Sequence, residues 1–320
     1  MLILNGLRIA RDDGPRPAGL PADVEWRTRR VDSLPSEPGA GNPIAIVRGE
    51  RTEAGIATDH VFGYDGRVRC RFRIGPDGAA TDCRAIAEVS ERDLFSLFAE
   101  PVMRTILVRR GLLSFHAAAL ALDGRAILVM ADKGAGKSTL SWALQERGWQ
   151  LLADDLARVD RVEGRWAVYP GHRQTKLTPA AARAFGHVAD SMPVRFDDSG
   201  PAAYAAQFDK RVLDAADLDG HPASAVPLAG LFFLSERNPS ASALRIERLP
   251  PSAAVRLLLE HATPDPLRTG PNLAPTLQRA VGALATEVEV AALTLPDRFD
   301  RLADSAAALE SLVAKPEASA

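Results

Sequence analysis

The sequence predicts an α/β protein with a β-rich N-terminal domain, and three observations predict it. A strand, a glycine loop, a helix and a second strand follow one another over residues 126–153. Strand-like and helix-like segments go on alternating after that run. Residues 1 to about 90 hold short apolar stretches broken by Gly, Pro and Asp instead. A length of 320 residues suits two domains at roughly 150 residues each. The expected boundaries are 1–110 for the β-rich domain, 111–314 for the α/β core and 315–320 for a frayed tail.

In the first domain, Val68-Arg69-Cys70-Arg71-Phe72-Arg73-Ile74 alternates polar and apolar, the period of a half-buried strand. Gly75-Pro76-Asp77-Gly78 then predicts a hairpin turn. Cys70 and Cys83 flank that turn and read as two buried thiols on facing strands; two cysteines are too few for a disulfide scaffold. Pro15–Pro21 and Pro35–Pro43 read as loops. Asp93–Phe98 and Val102–Arg110 read as helix, with Ser90 and Asp93 as a capping box and Gly111 as the stop.

The core begins with Leu112–Leu122 as a strand. Asp123-Gly124 is a two-residue hairpin turn, Ala126–Met130 the returning strand, Ser138–Arg147 a helix and Gln150–Ala153 the next strand. Trp166–Tyr169, Leu228–Leu234 and Val288–Leu295 read as further strands. Pro179–Phe185, Ser252–His261, Leu273–Leu284 and Arg298–Val313 read as helices. Asp190–Tyr204, rich in Pro, Gly and Asp, reads as a long loop.

Composition narrows the function. Lys and Arg total 39 against 41 Asp and Glu, a formal charge of −2. A general nucleic-acid binder would carry a basic surplus. No apolar stretch approaches the roughly 18 residues of a membrane span. The start lacks the cationic region of a signal peptide. The expectation is a soluble cytoplasmic protein with no nucleic-acid or membrane partner.

The strongest motif runs from Ala131 to Thr139: Ala131-Asp132-Lys133-Gly134-Ala135-Gly136-Lys137-Ser138-Thr139. It fits the phosphate-loop pattern G-x-x-x-x-G-K-S/T except at Ala131, which is tolerable if that residue keeps φ below zero. Gly134 and Gly136 allow the tight turn that aims backbone N–H groups at phosphate oxygens. Lys137 would reach the β- and γ-phosphates, and the Ser138 hydroxyl would ligate Mg²⁺. Lys133 adds a second charge, facing phosphate or solvent. Asp154-Asp155 ends a strand one helix later, where such proteins keep a carboxylate for Mg²⁺ and, when a hydroxyl is the acceptor, a base. The bland reading of the pair is a turn or helix cap. His116 is the third candidate. A two-residue turn pairs Leu122 with Arg125, and an unbroken register then sets His116 opposite Ala131, at the mouth of the loop.

Ser114-Phe115-His116-Ala117-Ala118-Ala119-Leu120, Asp123-Gly124, Lys133–Ser138 and Leu151-Leu152-Ala153-Asp154-Asp155 together resemble the catalytic domain of the HPr kinase/phosphorylase superfamily. The resemblance implies a P-loop kinase core of the HPr kinase/phosphoenolpyruvate carboxykinase type behind the β-rich domain. It implies ATP and Mg²⁺, Asp154 as base towards an acceptor serine, Asp155 as a metal ligand, and His116 as support for Asp154. The likeness is specific at this core and only general over residues 1–110 and 190–320. Where the family has E-I/V-R-G-L-G-I, this chain has Val168–Leu177. Arg173 and Lys176 lie in that substituted segment, and Lys210-Arg211 follows the long loop; all four are candidates for phosphate or substrate, with surface charge as the alternative. The layout looks closer to the HPr kinase-related proteins found with peptide-modification genes, some of which phosphorylate the C-terminal serine of lasso-peptide precursors.

The expectation is therefore an ATP-dependent serine kinase acting on a peptide or small protein, a lasso-peptide precursor included. Two alternatives stand beside it: a small-molecule kinase of the same fold, acting on free serine or another alcohol, and a nucleotide-binding regulatory module without transfer. The oligomeric state stays open, a homo-oligomer included.

Overall fold

A computed structural model describes residues 2–11, 22–37, 44–64, 66–186, 211–214, 224–235, 237–263 and 275–313. It is a mixed α/β structure of two compact units, the first built mainly on residues up to Ser114 and the second starting at Phe115.

The first unit is a seven-stranded sheet. Its strands are β1 (Leu2–Leu4), β2 (Leu7–Arg11), β3 (Val24–Val31), β4 (Ile44–Thr52), β5 (Gly55–Tyr64), β6 (Arg67–Ile74) and β7 (Ala80–Ile86), in the order β1-β2-β3-β7-β6-β5-β4. The alternation in β6 holds residue by residue: Val68, Cys70, Phe72 and Ile74 are buried and the arginines between them are not. Cys70 and Cys83 are buried on adjacent strands and are not joined in a disulfide. Burial pushes the Cys70 thiol well up. Helices α1 (Glu91–Leu97) and α2 (Met103–Arg109) follow. Ser90 caps α1, its Oγ accepting from Asp93 N at 3.1 Å. A π-turn at Phe98–Val102 joins the helices around Pro101. Proline has no N–H to give to a tighter turn, and the wider turn absorbs that loss. It also delivers Phe98 onto Trp26, with ring centroids 4.1 Å apart.

The second unit is a nine-stranded mixed sheet. The predicted strand over Leu112–Leu122 breaks at His116 into β8 (Ser114–Phe115) and β9 (Ala117–Leu122). The other strands are β10 (Arg125–Ala131), β11 (Gln150–Ala153), β12 (Ala157–Val162), β13 (Arg165–Tyr169), β16 (Val226–Leu234), β17 (Arg245–Arg248) and β18 (Val290–Thr294). The path is β11-β9-β10-β16-β13-β12-β8, with β18 beside β16 and β17 beside β18. A separate pair joins β14 (Gln174–Leu177) to β15 (Arg211–Asp214). The Asp123-Gly124 turn behaves as expected: both residues have positive φ, and Leu122 faces Arg125. Asn5-Gly6 and Glu163-Gly164 make the same kind of turn at two hairpins the sequence reading passed over.

Helix α3 (Lys137–Gln145) and helix α7 (Leu302–Val313) share one core with this sheet, through Leu140, Leu144, Ala306 and Leu309 against Leu120, Ile127, Val129 and Leu293. Each such leucine or isoleucine contributes roughly 1.5–3 kcal/mol by leaving water, so the strand that feeds the glycine loop is held firmly. Helix α4 (Pro179–Ala184) is short and capped by Thr178; α5 (Pro251–His261) and α6 (Pro275–Glu287) pack on each other. The expected loop at Asp190–Tyr204 and the tail after Ala314 lie outside the described residues. Among the described residues no helix is long and apolar enough to cross a membrane.

Candidate active site

Strand β10 ends at Ala131, and helix α3 begins six residues later at Lys137. Between them the chain turns on Gly134 (φ 91°) and Gly136 (φ 108°), where a side chain would be strained. Ala131 keeps φ below zero, so its departure from the motif costs the loop nothing. Gly136 stands at the N-cap of α3 with no side-chain cap, so the first N–H groups of the helix are not taken up by a capping side chain. Lys133 is exposed; Ala135, Ser138 and Thr139 are half-buried along the turn and the first helical residues.

Lys137 is buried, and its Nζ donates to Asp154 Oδ1 and to Asp155 Oδ1, each at 2.8 Å. Two consecutive strand residues would normally point to opposite faces. Here β11 ends at Ala153, and the chain makes a γ-turn: Leu156 N donates to Asp154 O at 2.8 Å, with Asp155 at φ 62° in the middle. The turn swings both carboxylates onto one ammonium. Its strain, about 1–2 kcal/mol, is the kind that persists where a site over-determines the backbone.

Asp154 is buried, and its Oδ1 also accepts from Asp155 N at 3.0 Å. Its Oδ2 has no hydrogen-bond donor among the described residues. Asp155 Oδ2 accepts from Lys176 Nζ at 2.8 Å, and Lys176 is only 1% exposed. Four opposite charges thus close into a neutral group. Burial raises the Asp155 pKa, but Lys137 and Lys176 outweigh it and hold the carboxyl well below its ordinary range. Burial likewise lowers the Lys137 ammonium, and Asp154 and Asp155 overcome it, so its pKa lies above the ordinary lysine value.

His116 is expected to support Asp154, and in the structure it stands beside Asp155. His116 Nδ1 lies 3.1 Å from the Asp155 carbonyl oxygen and Nε2 lies 3.9 Å from Asp155 Oδ1. Paired residues in β9 and β10 end at Ala117 and Met130, one step short of His116 and Ala131. The reason is the strand break: His116 N donates instead to His261 O at 2.9 Å, which turns the ring, 47% exposed, towards the second aspartate.

The segment 170–173 is stitched to β11 by two backbone bonds, Gly171 N to Leu152 O at 2.9 Å and Asp154 N to His172 O at 2.8 Å. This places Arg173 close along the chain from Asp154's partner. Arg173 Nη1 is buried with no hydrogen-bond partner among the described residues, and burial lowers its pKa. Lys210 lies outside the described residues. Arg211 opens β15, its backbone opposite Leu177.

One residue escaped the sequence reading. Arg237 sits over Gly136: a Cβ there would stand 3.4 Å from its Nε. Arg237 is anchored by Asp297 at 3.1 Å. No local signal marks it, because about one hundred residues separate it from the loop. Among the described residues no three His, Cys, Asp or Glu side chains gather as metal ligands.

No family model matches the chain. No curated protein matches it either. Among solved structures it is similar to the HPr(Ser) kinase/phosphatase from Coxiella burnetii, over 62% of this chain and 87% of that one, with 15% identity and a TM-score of 0.27.

Proposed function

We infer that the protein is an ATP-dependent kinase that moves the γ-phosphoryl group onto a serine hydroxyl of a peptide or small protein. One observation carries the reading: Lys137, at the end of a two-glycine loop, is held by Asp154 and Asp155 together, while Asp154 Oδ2 stays open. A simple nucleotide-binding module has no use for an unoccupied carboxylate oxygen beside the phosphate lysine.

The roles follow from position. Backbone N–H groups of residues 134–138 and the start of α3 bind the phosphates. Lys137 leaves the aspartates for the phosphate oxygens. Asp154 Oδ2 takes the serine proton as the serine oxygen bonds to phosphorus and the bond to the ADP oxygen breaks. Arg173, a guanidinium without a carboxylate partner among the described residues, balances charge on the transferring group or the acceptor. Ser138 and Asp155 fit Mg²⁺ by chemistry, since hydroxyl and carboxylate oxygens suit a hard cation and Asp155 already gathers two ammonium groups. When bound, the ion supplies neutralisation of the phosphate charge.

The test is mass spectrometry of the protein with Mg-ATP and a library of serine-containing peptides, with free serine in parallel. Phosphate on peptide serine is the expected product. Asp154→Asn should lower the rate about 10²–10⁴-fold while nucleotide still binds. Phosphorylated free serine without peptide product would replace the peptide reading by the metabolite one. Bound ATP with no transfer to either would leave only the silent module.

A further inference from the structure

The face of the N-terminal sheet turned away from Trp26 and Phe72 carries its charges in strand register. Arg27, Asp82, Arg73, Asp59 and Arg48 stand opposite one another in turn across β3, β7, β6, β5 and β4, so charge alternates along that row. The neighbouring row is different. Arg29 faces Arg84, and Arg84 faces Arg71. Like charges directly opposed on a sheet are destabilising. Arg71 is relieved by Glu37 at 3.0 Å, and Glu37 reaches Arg48 as well. Arg29 and Arg84 are exposed and make no ion pair or hydrogen bond among the described residues. A groove of about 730 Å³ opens over these residues.

Glu37 shows which chemistry this face accepts: a carboxylate from a segment outside the strands, held between two guanidinium groups. A nucleic acid fits it poorly. Glu50 and Asp59, paired with Arg73 at 2.6 and 3.2 Å, and Asp82 line the same groove and would repel a ligand charged at every repeat. The formal charge of −2 gives no long-range pull on such a polymer either.

We propose that the groove over Arg29 and Arg84 is a docking site for an acidic peptide segment of a partner protein, one or two of whose carboxylates do at Arg29 and Arg84 what Glu37 does at Arg71. The site stands on the N-terminal unit alone and holds whether or not the second unit transfers phosphate. Its two open arginines then have a reason: a like-charge pair left strained when empty is relieved by the ligand.

The experiment is fluorescence anisotropy of the full chain with a dye-labelled ten-residue Gly/Ser peptide carrying three glutamates, and with its glutamine counterpart. The glutamate peptide should bind at least about tenfold tighter, and the gap should narrow as salt rises. Arg29→Glu with Arg84→Glu should cost about tenfold or more, and Arg29→Gln with Arg84→Gln should show the same loss if the reversed pair folds poorly. Arg84→Glu alone should raise the melting temperature, because it turns two repulsions into attractions. Equal binding of the two peptides, unchanged binding by both double variants, or displacement of the peptide by an equal concentration of single-stranded DNA of the same length would overturn the proposal.

Discussion

Asp155 carries two ammonium groups on one carboxylate, Lys137 on Oδ1 and Lys176 on Oδ2, both at 2.8 Å. With Asp154 the group is neutral and almost closed to water, so its energy depends on keeping the charges matched. Lys176→Met leaves a net negative charge in a buried place and should cost about 3 kcal/mol, read as a lower denaturant midpoint. Lys176→Met combined with Asp155→Asn restores neutrality and should cost less than the sum of the single changes, by roughly 1–3 kcal/mol. Additive losses would show that the four charges do not act as one group. The sign with pH follows from the two shifts. Asp155 titrates below its unfolded value, so its share is present above about pH 4 and is lost as pH falls through the folded pKa. Lys137 titrates above its unfolded value, so its share is present below about pH 10 and is lost on the alkaline side. Across neutral pH both of these shares are therefore present.

At the scale of the element, the loop between β10 and α3 separates two effects that one substitution usually mixes. Gly134 and Gly136 both have φ near +100°, so alanine strains either by about 1–2 kcal/mol. A Cβ at Gly134 meets nothing within 4 Å, whereas one at Gly136 meets the Arg237 guanidinium. Gly136→Ala should therefore weaken ATP binding, measured by titration calorimetry, more than Gly134→Ala does. Adding Arg237→Ala should close most of that difference. The same loop explains what could be read in advance. Local chemistry marked the Asp123-Gly124 turn, the Ser90 cap and the strand–loop–helix order, because each is set by residues within one turn or two of each other. Sequence did not mark the break at His116, which depends on His261 far along the chain. Nor did it mark the γ-turn at Asp155, which places the His beside the second aspartate rather than the first. Lys176 was legible as a charge near the motif but not as a buried one, since contacts that lie far off along the chain, Asp155 among them, meet it. Arg237 and the register of the outer arginines were out of reach for the same reason: both follow from long-range pairing.

For the whole molecule, acid sensitivity enters through histidine as well as through carboxylates. His60 lies in the first unit, 3% exposed, with Nε2 2.8 Å from Thr105 Oγ1. Burial first, and Arg104 second, push its pKa down to about 4. An unfolded histidine titrates near 6.5, so between those values the unfolded chain binds the extra proton and the folded one refuses it. The stability His60 permits is present above about pH 6.5 and is lost as pH falls towards 4, on the order of 3 kcal/mol at the limit. His261, in the second unit, is lowered by burial too and adds to the slope with the same sign. The shifted aspartates and glutamates among the described residues all titrate below their ordinary values, and their contribution falls away only under about pH 4.5. The interval from pH 6.5 to 5 therefore belongs to buried histidine. Urea midpoints taken across it should decline with pH, and His60→Gln, which keeps a polar partner for Thr105 without a titrating ring, should flatten that decline. An unchanged slope in His60→Gln would mean that the ring is reached by water in solution and charges without unfolding.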